Sequence, residues 1–201
     1  MKNAKNIFLL FTFNLVLGGC SALGEESGYW GIRVAAPEHY DMWVTDAYLE
    51  KSGVRSWRAP FGGHTGCCWA GAYGPAGSGG ELKPFPNLML LRWFSFAEQK
   101  YYAALIRVPE DLQERMLEPV PYLYPDASSG QEPRRTLVLG LAPGGEVVVW
   151  IMSQRTNAEE VLRVSAAELP GDPEDFEELT ESYLEEHGAY LKAHGVPLEG
   201  W

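Results

Sequence analysis

The 201-residue chain is 46% hydrophobic and 12% aromatic, with seven tryptophans and ten tyrosines, which excludes a disordered or fibrous polymer and calls for a packed core. A formal charge of −11 argues against nucleic acid as a partner, because phosphate binding rests on clustered cations.

Lys2 and Lys5 precede an apolar run from Ile7 to Leu17. The run is broken by Asn14 and is shorter than the about 20 residues a bilayer-spanning helix needs, so residues 1–19 read as a cleavable export signal. The segment Leu17-Gly18-Gly19-Cys20 resembles the lipobox of bacterial lipoproteins. That resemblance implies that Cys20 is lipidated and becomes the first mature residue, held in the membrane by several acyl chains. Ser21-Ala22-Leu23 lacks the patterns associated with inner-membrane retention, which points to the outer membrane, facing the periplasm. Residues 20–28 form the acylated cysteine and a tether, and residues 29–201 one globular domain. Cleavage removes both leader lysines, leaving 14 basic residues against 27 acidic ones, a charge of −13.

Tyr29 to Ala35 and Met42 to Leu49 carry partly alternating aromatic and β-branched residues and predict two strands, with Pro37-Glu38-His39 as a turn. Residues 59–87 are dense in glycine and proline and predict a long loop. Leu88 to Phe96 and Tyr101 to Val108 fit an antiparallel hairpin, and Pro109 to Leu117 a short helix. Pro119 to Pro133 reads as a connection. Thr136 to Leu141 and Glu146 to Met152 flank Pro143-Gly144-Gly145 as a second hairpin, followed by a strand at Val161 to Val164. Asp172 and Pro173 predict the start of a helix that runs to His194, with Phe176, Leu179, Tyr183, His187, Tyr190, Leu191 and His194 as its apolar-aromatic stripe. The predicted fold is α+β: an antiparallel, sandwich-like sheet with a short helix and a long amphipathic C-terminal helix.

The least ordinary local feature is Cys67-Cys68, close to His64. With Cys20 acylated, these thiols have only each other in an oxidising compartment. Neighbouring Cα atoms stand about 3.8 Å apart, shorter than the about 4.4–6.8 Å that disulfides prefer, so a ring between them would be strained. A vicinal disulfide acting as a kink, two unpaired small hydrophobes, and a metal or redox element all remain open. Ala76-Gly77-Ser78-Gly79-Gly80 lacks the strand-then-helix context of a hydrolase elbow. His187 and His194 stand seven apart, where a shared metal on one helix needs four, and read as packing residues. No phosphate-binding, dinucleotide or metal motif is present, so neither a cofactor nor a metal is expected, nor catalysis.

Two stretches, Arg92 to Tyr102 and Gly140 to Trp150, together with the lipobox and Tyr29-Trp30-Gly31, resemble an uncharacterised family of proteobacterial lipoproteins. The resemblance covers most of residues 17–165. Members are often encoded beside type VI secretion effectors, particularly phospholipases, which implies an immunity role. The expected function is therefore to bind and neutralise such a lipase in the periplasm, with a structural or assembly lipoprotein of the envelope as the alternative. The expected contact face includes Trp69 and Tyr73, or the carboxylates of residues 174–186, among them Glu174, Asp175, Glu177, Glu178 and Glu181.

Overall fold

A computed structural model describes residues 30–69, 76–82 and 84–201. The expected leader and tether, with Cys20, Tyr29 and Tyr73, lie outside the described residues. In chain order the strands are β1 (Trp30–Ala35), β2 (Met42–Lys51), β3 (Arg55–Arg58), β4 (Gly63–Thr65), β5 (Ala76–Leu82), β6 (Leu88–Ser95), β7 (Lys100–Arg107), β8 (Pro119–Leu123), β9 (Ser129–Pro133), β10 (Thr136–Ala142), β11 (Glu146–Met152), β12 (Glu159–Ser165) and β13 (Ala167–Leu169). Helix α1 (Leu112–Leu117) lies between β7 and β8, and α2 (Glu177–His194) follows β13. This is the expected mixture of strands and a long C-terminal helix.

One sheet has the order β12-β11-β10-β1-β5. The other runs β13-β7-β6-β2-β3, with β4 also paired to β2. Both predicted hairpins are present, β6 with β7 and β10 with β11, each in continuous antiparallel register. Alternation explains the core. Ile32 and Val34 of β1, Leu137 and Leu139 of β10, and Val147, Val149 and Ile151 of β11 enter one cluster with Met89, Leu91 and Trp93 of β6 and Ala104 and Ile106 of β7. Both sheets therefore contribute to a single hydrophobic core.

Four expectations need correction. The pairing is not wholly antiparallel, because β1 lies parallel to β10, Ile32 opposite Leu137. The 59–87 segment is not all loop: β4 pairs with β2, and the glycine-rich β5 adds to the edge of β1, its low intrinsic preference overridden by the neighbouring ladder. Residues 119–133 are not a plain connection but the two-stranded ribbon β8–β9, where the prolines are tolerated because both strands are edges. On the last helix, Leu179 and His194 are exposed, and the buried positions are Thr180 and Tyr183. The start is as expected: the Asp172 side chain accepts from the Glu174 N–H, and Pro173 opens a 3-10 turn that leads into α2.

The outward faces are covered differently. On β10 and β11, Val138, Val148, Trp150 and Met152 form a second cluster beneath Trp69. Phe94 of β6 and Phe96 just beyond it join Tyr183 in a third, with Phe176 and Leu191 of the C-terminal segment packed against it.

Candidate functional site

The C-terminal segment docks through aromatic stacking. Phe176 stacks on Phe94 at 4.7 Å between centroids, and Tyr183 on Phe96 at 5.4 Å. The Tyr183 hydroxyl donates to the His39 carbonyl at 2.7 Å. Burial, and then the charge of Asp41, push this phenol above its ordinary pKa, so it remains a donor at neutral pH. With the aromatic side committed to the sheet, Glu174, Asp175, Glu177, Glu178 and Glu181 all stand exposed. Glu174, Glu177 and Glu181 line a cleft of about 270 Å³ with Gln99, Thr180 and Leu184. The Thr180 hydroxyl is buried there without a hydrogen-bond partner.

A second cleft, of about 460 Å³, opens where the β1–β2 turn, β4 and α2 meet. Glu38, His39, Asp41, His64, Cys67, Glu186 and His187 line it. Asp41 is the buried member: its Oδ2 stands 2.9 Å from His64 Nε2 and 3.7 Å from His187 Nε2. His187 Nδ1 lies 3.4 Å from His39 Nδ1, and His39 stacks on Tyr190 at 3.8 Å. Three of the chain's four histidines thus converge from separate segments. His194 stands apart, stacked on Tyr190.

The sulfurs of Cys67, which lines this cleft, and its neighbour Cys68 face each other, and Glu38 completes a trio with them whose ligand atoms lie within 4.8 Å of one another. Trp69, by contrast, is half-buried, set edge-on to Trp150 at 5.2 Å and close to Trp201 at 6.0 Å. A methyl group on Gly140 would fall within the Trp69 ring, so this glycine is what admits the indole to the sheet. Ser78 lies inside β5 opposite Ile32, with no helix directly after it.

The sequence reading singled out the acidic positions that the fold leaves exposed. It missed His39, Asp41 and Glu38, and it treated His187 as packing alone. No local spacing signals that cluster, since His39 and His187 are 148 residues apart.

A family model for proteins of unknown function, DUF2931, matches residues 20–199. The chain belongs to the DUF2931 family. No curated protein and no solved structure matches it. The DUF2931 match spans both clefts.

Proposed function

We propose that this DUF2931 protein is a lipoprotein, anchored through Cys20 in the outer membrane and facing the periplasm, that binds and neutralises a type VI secretion effector. The effector class, a phospholipase, comes from the lipoprotein resemblance at Arg92 to Tyr102 and Gly140 to Trp150. The charged n-region, the short apolar run and the lipobox support the anchor. The body is sandwich-like, two sheets on one core, and acts by binding and not by catalysis.

The observation that carries the reading is the acidic cleft on the C-terminal segment. Glu174, Glu177 and Glu181 line it, and the buried Thr180 hydroxyl there lacks a partner. An arginine or lysine of the effector supplies a counter-charge for the carboxylates. Such complementarity accelerates encounter more than it deepens affinity, and the exposed Leu179 and Leu184 add apolar contact beside it.

The test is periplasmic expression of type VI secretion phospholipase effectors, with and without the full-length chain. Rescue of growth by the chain, and loss of rescue with Cys20→Ala or with Glu174→Lys/Glu177→Lys/Glu181→Lys, is the expected result. A chain that leaves lipase toxicity unchanged would overturn the reading.

A further inference from the structure

We propose that the β2–β3 hairpin end of the domain is a membrane-contact surface, which sits on anionic phospholipid headgroups and holds the acidic C-terminal helix away from the bilayer; it rests on the Cys20 anchor proposed above. The tip of the hairpin is built to project. The Val54 N–H donates to the Lys51 carbonyl at 2.9 Å, and Gly53, at φ 77°, lets the chain reverse. Asn87 braces the turn: its Oδ1 accepts from the Ser52 N–H at 2.8 Å, and its Nδ2 donates to the Ser52 hydroxyl at 3.1 Å. Turns that face water favour small polar residues, yet this one ends on Val54, 66% exposed, with Lys51 opposite Arg55 at its base. An apolar side chain at the tip of a basic hairpin suits entry into a headgroup layer.

The sheet face beside the tip has the same character. Phe94, Arg92, Leu90 and Leu88 alternate onto one side of β6. Phe176 covers Phe94, but further along the strand Tyr48, Leu90 and Leu105 lie side by side across β2, β6 and β7, with Tyr48 43% and Leu105 56% exposed. Arg58 stands opposite Tyr48, Arg107 opposite Leu88 and Arg92 opposite Ala103, and all three arginines are exposed. Asp46 faces Arg92, and Glu50, which accepts from the Ser52 and Ser56 hydroxyls, shares the row of Arg107. With Lys51 and Arg55 at the tip, cations outnumber these carboxylates. In a chain of net charge −11, such a local excess selects an anionic partner. Arginine suits a headgroup layer, since its stem is apolar and its fork pairs with phosphate.

The entry point of the chain names the partner as lipid. Trp30, at the start of β1, meets Phe85 edge-on at 5.1 Å, two residues before the Asn87 that braces the hairpin. The chain therefore enters the fold at the hairpin end. Trp30 lies ten positions after Cys20, a reach of at most about 36 Å, so an anchor at Cys20 keeps this end at the bilayer. Strand β2 is ten residues long, or about 30 Å, and the helix docks at its other end, where the Tyr183 hydroxyl holds the His39 carbonyl. The same contact thus turns Glu174, Glu177 and Glu181 towards the periplasm.

The experiment incorporates the full-length acylated chain into phosphatidylcholine vesicles with and without phosphatidylglycerol. An environment-sensitive fluorophore is placed on Val54→Cys or, for reference, on Leu198→Cys, an exposed position beside the β10–β11 turn at the far end. With phosphatidylglycerol, the Val54 probe is expected to shift to the blue and to be quenched by lipid-borne nitroxides, and the Leu198 probe to do neither. Arg58→Glu/Arg107→Glu, at exposed positions, lowers the lipid-contacting fraction at least about tenfold, as does omission of phosphatidylglycerol. A Val54 probe that stays in water on phosphatidylglycerol vesicles, or that is quenched equally without the anionic lipid or in the charge-reversed variant, would overturn the proposal. Flotation of the same samples tests the anchor separately. A chain that leaves the vesicles overturns the anchor and this contact together, whereas one that floats with a water-exposed Val54 probe overturns the contact alone.

Discussion

The two outward sheet faces of this protein are covered by opposite strategies. The face formed by β10 and β11 is roofed by single aromatic side chains from distant segments: Trp69 lies over Gly140 and against Trp150, and Trp201 closes on Trp69. The face formed by β6 is roofed by a helix, through Phe176, Tyr183 and Leu191 on Phe94 and Phe96. The first strategy uses aromatic rings for packing and leaves little beyond it. The second hides one stripe of a helix and holds the other sides rigidly in solvent, where Glu174, Glu177, Glu178 and Glu181 stand. A helical cover is thus the one that can present a charged surface without weakening the core.

Breaking the helical cover should cost most. Phe94 is fully buried, and Phe94→Ala is expected to destabilise the domain by about 3–5 kcal/mol, read as a lowered denaturant midpoint at unchanged slope. On the other face, Gly140→Ala drives a methyl group into the Trp69 ring and should cost about 1–3 kcal/mol, with a shift in tryptophan fluorescence because Trp69 must move. If Gly140→Ala were neutral, Trp69 would not be part of that cover.

Tyr183→Phe sharpens the comparison at the level of one bond. It removes the donor to the His39 carbonyl and should cost about 0.5–1.5 kcal/mol. Its pH dependence is distinctive. A phenol whose folded pKa is raised contributes stability that is complete below its unfolded value near 10 and is lost as pH rises beyond it. The wild type should therefore lose more stability between neutral pH and pH 11 than Tyr183→Phe does, by equilibrium denaturation at each pH. The smallest effect belongs to the solvent side: Glu174→Gln/Glu177→Gln/Glu181→Gln should change stability by no more than about 0.5 kcal/mol per site.

What could be read from the sequence follows from where the information lies. The β6–β7 and β10–β11 hairpins are local, with alternating runs flanking short turns, and the cap at Asp172 is local too. The parallel pairing of β1 with β10 joins residues about a hundred positions apart and leaves no local mark. Strand β5 is hidden by its glycines, and β8–β9 by prolines that a ribbon edge tolerates. Leu179 obeys the helical period and still faces solvent, because the stripe that meets Phe94 and Phe96 runs through Phe176, Tyr183 and Leu191. For the same reason the acidic surface was legible, being written along one helix. The histidine cleft was not, since folding alone brings residues 39, 41, 64 and 187 together.

The central claim is that the exposed carboxylates of the C-terminal segment receive a basic partner. Its most direct test is the association rate of the full-length chain in detergent with a phospholipase effector whose toxicity it relieves, measured at low and high salt for the wild type and for Glu174→Gln/Glu177→Gln/Glu181→Gln. Steered association predicts that the wild type binds at least about tenfold faster at low salt and that the variant loses both the speed and the salt sensitivity. Equal rates for the two proteins, with the same salt dependence, would contradict it.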